Sequence, residues 1–370
     1  MKSLVRIFGL ASAAAFAAAC ASVGGGTGGT VNGGAGPTTE PASPSVIWPV
    51  KTREHVDLWL HGFAMLQEDT TFVPFFKRGY STDMIVLKNR ANVVSQLDAN
   101  RDKLRARLAI NPQLINAQFV PLSFQTWAEL NQTVDLFVRA AGNPRAASSQ
   151  QQAGAIAFLA AYFPTGPDRD WLRLFVESLN DESTRFYHSY WLQQERERSN
   201  VLDLVDTLWQ RTYRPRMQRF LNNTQLAQGS ILLSLPLDGE GRSLTSGKQS
   251  NMITVTFPER PSDAVEAIYV IAHEAVSGIA STAVSDNITP EQRRAGLGER
   301  YQSAAAVRAG ALLIQRTSPE ILDGYMRYYL KSVNRPAGAN AQATFTATFG
   351  IPDTIRDALT RQLDVVLGGI

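Results

Sequence analysis

Along most of this chain apolar residues recur at steps of three and four, the spacing of one buried face of an α-helix. From Thr52 onward Val56, Trp59, Leu60, Phe63 and Leu66 keep that step. Met84, Leu87, Val94, Leu97, Leu104 and Leu108 continue it, which predicts helix over 82–108, ended by Asn111-Pro112. Further helices are expected near 122–141, 148–163, 167–181 and 183–221. They are separated by Gly142-Asn143-Pro144 and by Phe163-Pro164-Thr165-Gly166-Pro167. Asp181 and Ser183 are the expected caps of the long helix that holds Tyr187, Trp191 and Trp209.

The pattern changes at Gly229. The run Ile231 to Leu237 is short and apolar, Asp238-Gly239 is a turn signal, and Met252 to Phe257 is β-branched with period-two alternation. These runs predict two antiparallel strands, with Pro236 placing the first at a sheet edge or at its own end. Pro261-Ser262-Asp263 then opens a helix, Ala264 to about Val284, with Val265, Ile268, Ile271, Ala272 and Val276 on its apolar face. Helices near 298–316, 318–333 and 352–367 complete the chain. The expected class is α+β and predominantly helical. A helical region over 46–225 precedes a small antiparallel sheet packed on helices over 226–370.

The first 45 residues are of another kind. Lys2 and Arg6 precede an apolar run over 7–19 that is too short to span a bilayer and ends in small residues before Cys20. This is the layout of a cleaved export signal over 1–19. Cys20 is the only cysteine of the chain, so it has no disulfide partner within it. A Gly/Ser/Thr/Pro stretch follows directly, and the segment 20–45 reads as a disordered tether that lets a domain stand clear of a membrane. Ala17-Ala18-Ala19-Cys20 resembles the lipobox of bacterial lipoproteins, although Ala17 stands where Leu is most common. That resemblance implies acylation of Cys20, and Ala21 rather than Asp after it implies the outer membrane with the domain facing the periplasm.

Removal of Lys2 and Arg6 with the signal lowers the net charge from +3 to about +1. So neutral a surface gives no reason to expect nucleic acid. With 44% hydrophobic residues the chain has ample material for a core.

One constellation carries chemistry. The helix after the second strand reads Ala-Ile-Tyr-Val-Ile-Ala-His273-Glu274-Ala-Val-Ser277. It resembles the zincin metallopeptidases, which carry HExxH on a buried helix preceded by a small sheet whose edge strand binds substrate. In that motif two His at i and i+4 share a helix face and a zinc ion, and the Glu between them deprotonates the metal-bound water. The resemblance implies a metal role for His273, a general-base role for Glu274, and Glu299 on the next helix as the third ligand. It covers roughly 229–316.

Ser277 departs from the motif, because a hydroxyl is a poor zinc ligand beside imidazole or carboxylate. The expectation is therefore a zincin-like domain with an inactive or weakened centre. No cofactor is expected from the motif as it stands, and zinc is the one the resemblance would imply. A buried Glu274 needs a partner, expected from elsewhere in the fold and not from His273 beside it.

The alternative is a non-enzymatic lipoprotein that binds a protein or small ligand in the periplasm. His55 and His61, six residues apart on one helix, cannot chelate one ion together. His188, among Phe186, Tyr187, Tyr190 and Trp191, is expected as a core or interface residue. Ser246-Gly247-Lys248 reads as a turn.

Overall fold

The computed structural model describes residues 47–368 apart from 68, 70 and 246–249. The signal, Cys20, the tether over 20–45 and the turn at 246–248 lie outside the described residues. The protein is predominantly helical, with one small mixed sheet.

The amino-terminal half contains α1 (Glu54–Leu66), α2 (Tyr80–Arg90), α3 (Gln96–Ile110), α4 (Trp127–Arg139), α5 (Gln150–Tyr162) and α6 (Gly166–Glu182). It continues through α7 (His188–Glu197), α8 (Ser199–Leu208) and α9 (Arg214–Asn223). The expected single helix over 82–108 is two. Asn92 adopts a left-handed backbone between them, and Ser95 begins α3 with a capping box closed by Asp98.

The expected caps at Asp181 and Ser183 are not caps. Ser183 has helical dihedrals, and α6 runs through a π turn at Ser183–Tyr187 straight into α7. The N-cap position needs extended backbone, which this continuous helix never supplies. Asp181 instead accepts from the Gln96 N–H at 2.7 Å. The expected helix over 183–221 is interrupted at Arg198 and by a second π turn at Trp209–Tyr213.

The sheet has four strands in the order β1 (Val50–Lys51), β2 (Gly229–Ser234), β4 (Asn251–Thr256), β3 (Arg242–Thr245). The two strands expected to be antiparallel, β2 and β4, are parallel, in register from Gly229↔Asn251 to Ser234↔Thr256. The antiparallel partner of β4 is β3, the chain between them, which lies on the outer edge. Burial on both faces explains the difference. Ile231, Leu232 and Leu233 are all buried, as an internal parallel strand requires, so the continuous apolar run never needed a solvent face. Pro236 follows the end of β2, and Asp238-Gly239 belongs to a loop held by Pro74 and Phe75 instead of a hairpin.

After the sheet the chain continues through α10 (Val265–Ala275), which packs on it, and then α11 (Ser277–Asn287), α12 (Pro290–Arg294), α13 (Gly298–Thr317), α14 (Leu322–Ser332), α15 (Ala341–Thr348) and α16 (Asp353–Leu367). The expected helix from Ala264 to Val284 is broken, with α10 and α11 meeting at a 42° bend. The Ser243 hydroxyl from β3 donates to the Glu274 carbonyl at 3.3 Å beside the break, and a side chain inserted into the ladder is a known cause of such kinks. Among the described residues no single helix is long and apolar enough to cross a membrane.

The buried apolar residues form one core that runs from Trp48 to Leu363 and draws on both halves. β1 pairs with β2 across the two halves, and Asp57 of α1 accepts from the Ser234 hydroxyl at the end of β2.

Candidate functional site

α10 packs on β4 along one side and on α13 along another. The approach of α13 is close because Gly310 has no side chain. A Cβ there would collide with the Tyr325 hydroxyl and come within 3.3 Å of the His273 Cα. Both His273 and Glu274, in the last turn of α10, are buried.

The edge strand and its leading loop close over them. The Gly241 N–H donates to Glu274 Oε1 at 3.0 Å. Ser243 Oγ stands 3.4 Å from Glu274 Oε2 and 3.5 Å from Ser277 Oγ. Gly241 is required at this approach, since a Cβ would strike the Thr254 carbonyl. His273 Nδ1 lies 3.0 Å from Glu274 Oε1, and its ring stacks on Tyr329 with centroids 5.4 Å apart. Its Nε2 is buried and has no hydrogen-bond partner. The adjacent histidine is thus a partner of Glu274 after all, alongside Gly241 and Ser243.

A second carboxyl group, Glu240, joins the cluster from the same loop. Its Oε1 accepts from the Ser303 hydroxyl of α13 at 2.8 Å. The two carboxyls are pushed apart in acidity. Burial opposes ionisation of Glu274, but the His273 hydrogen bond and charge, the Arg242 guanidinium and the Gly241 N–H outweigh it and hold the carboxyl below its usual range. For Glu240 burial prevails against the charges of His273 and Arg242, the charge of Glu274 adds to it, and its carboxyl is raised. Opposed shifts in neighbouring carboxyls are the arrangement that separates an acid from a base.

The structure brings His273 and Glu274 together with Ser277, which is half-buried. It does not bring Glu299 with them: that side chain is exposed in the first turn of α13, and Ser303, one turn on, takes the inward place. Among the described residues no three His, Cys, Asp or Glu side chains are grouped to hold a metal ion. These donors give zinc no support: Glu299 faces away, and residue 277 carries a hydroxyl, a poor zinc ligand beside imidazole or carboxylate.

Glu240 was missed in the sequence. Its only signal is a carboxylate between two glycines just beyond a strand. His188 is not in the core; it is half-exposed and pairs with Glu54 at 2.8 Å.

No protein-family model, curated protein sequence or solved structure matches this chain.

Proposed function

We propose that the chain is a lipid-anchored bacterial envelope protein, facing the periplasm from the outer membrane, whose carboxyl-terminal half is a zincin-like metallopeptidase domain with its metal centre lost. The observation that carries this reading is the placement of His273 and Glu274. They end a buried helix that follows a small sheet, and the edge strand β3 lies directly against them through Ser243. The buried, unpartnered Nε2 of His273 is the kind of atom a lost ligand set leaves behind. Glu274, which such a centre would use as its base, is instead a structural acceptor for the Gly241 N–H.

The test is Ser277→His. Calorimetric titration with zinc should show weak or no binding by the wild-type protein. The variant should gain well over about tenfold in affinity, since even outer-shell changes move metal affinity by that factor. A folded variant with no gain removes the zincin reading. The anchor is tested separately by Cys20→Ser, which should accumulate as the longer, non-acylated precursor. Normal processing and membrane partition of that variant would refute lipidation.

A further inference from the structure

The opposite end of α10 holds a cavity that the His273 cluster does not use. It lies about 10 Å along the helix from that cluster, at 1.5 Å per residue. Its volume is about 240 Å³, and its walls come from the Ser262-Asp263 turn, the amino end of α10 and α14; the Asp263 carboxylate is already held by Arg260 at 2.8 Å. That is below the roughly 300–1,000 Å³ of sites for drug-sized molecules, a size that suits a small occupant.

The groups facing this cavity are uncommitted in a particular way. Among the described residues Glu266, half-buried in the first turn of α10, makes no hydrogen bond or ion pair, and neither does the exposed ammonium of Lys331 in the last turn of α14. The two interact across space without meeting. Arg327, also on the wall, is already held by Asp323 at 2.7 Å. Tyr269 and Tyr328 form an aromatic corner, with centroids 5.7 Å apart and planes at 50°. The Tyr328 hydroxyl is buried without a partner. Gly324 leaves room for the Tyr269 hydroxyl, which a Cβ there would displace.

We infer that this cavity binds a small zwitterion of the α-amino-acid class, its ammonium on Glu266 and the tyrosine faces and its carboxylate on Lys331. Electrostatics selects that class. A bare anion meets the charge of Glu266 and a bare cation meets Lys331, whereas a molecule carrying both charges complements each. Aromatic faces add attraction for an ammonium. Burial raises the Glu266 carboxyl from its ordinary range and Lys331 draws it back down, so a ligand ammonium beside it would favour its charged form. The inference does not depend on the His273 site.

The experiment uses the detergent-solubilised full chain, titrated by calorimetry with glycine, L-glutamate, L-lysine and L-phenylalanine. At least one should bind in the millimolar range or tighter. Its N-acetyl and carboxamide derivatives should each bind at least about tenfold more weakly, one ionic contact being worth that factor. Glu266→Gln should abolish the preference for the free amine, and Lys331→Met the preference for the free carboxylate. Both residues reach solvent, and circular dichroism checks that the variants fold. Failure of all four amino acids to bind overturns the proposal. So does equal binding of the blocked derivatives, or wild-type selectivity in both variants.

Discussion

Two buried His–Glu pairs stand among the described residues, and they are finished to different degrees. In the helical half, His61 uses both ring nitrogens, Nδ1 on the Tyr80 hydroxyl at 3.0 Å and Nε2 on Glu182 at 3.2 Å. Glu182 also holds Lys88 at 2.6 Å and the Ser95 hydroxyl, and Lys88 reaches Asp98 at 2.6 Å. Each of these side chains has a partner and the lysine lies wholly inside, although the hydroxyl of Tyr187, whose ring packs on His61, is buried without one. In the sheet half, His273 has Glu274 on one nitrogen and no partner on the other. A saturated network fixes how α1, α2, α3 and α6 meet and has nothing spare for chemistry. The unsaturated one leaves a buried polar atom whose desolvation no hydrogen bond offsets.

Breaking the saturated network should have the largest effect. Lys88→Met or Glu182→Gln leaves a buried group uncompensated and should cost about 3–5 kcal/mol in denaturant unfolding. The same network fixes a pH signature. Although burial opposes it, the contacts with His61 and Lys88 hold the Glu182 carboxyl down at about 2, against an ordinary 4.5. Its contribution is therefore full above pH 4.5 and lost as pH falls toward 2. Glu182→Gln should remove that acid-limb slope, and an unchanged slope would put the acid sensitivity elsewhere.

Glu274→Gln should cost less, about 1–3 kcal/mol, because an amide oxygen still accepts from the Gly241 N–H. If it destabilises as much as Glu182→Gln, the contrast between the two pairs is lost.

A pH effect separate from both pairs concerns Asp57, which is buried and accepts from neutral donors: the Ser234 hydroxyl, Trp191 Nε1 and the Leu235 N–H. Burial, only partly offset by those donors, raises its carboxyl to about 7 from 3.8. The sign is opposite to that of Glu182, because the folded state holds the proton longer and stability falls as pH rises from 3.8 toward 7. Asp57→Asn should flatten that decline. A decline that persists in the variant assigns it to another group.

Helix positions were largely legible because the three-and-four spacing is a local property of the chain. α1, α5, α13 and α16 fall within a few residues of where the pattern puts them. The break between α10 and α11 was not legible, since the hydroxyl beside it comes from Ser243, thirty-one residues earlier. Of the site, His273 and Glu274 could be picked out by their motif. Glu240 could not, because nothing local to 238–241 says that Ser303 of α13 will face it.

By itself the sequence determined the helical character, the two strand-forming runs and the His273-Glu274 dipeptide within an apolar helix. Each follows from neighbours within about ten residues, where backbone geometry and side-chain spacing are coupled directly. Only the tertiary structure decided that β2 and β4 run parallel, that Glu299 faces outward, and which buried polar groups find partners. Those outcomes depend on segments far apart in the chain competing for the same buried space, and a local pattern is silent on which segment arrives.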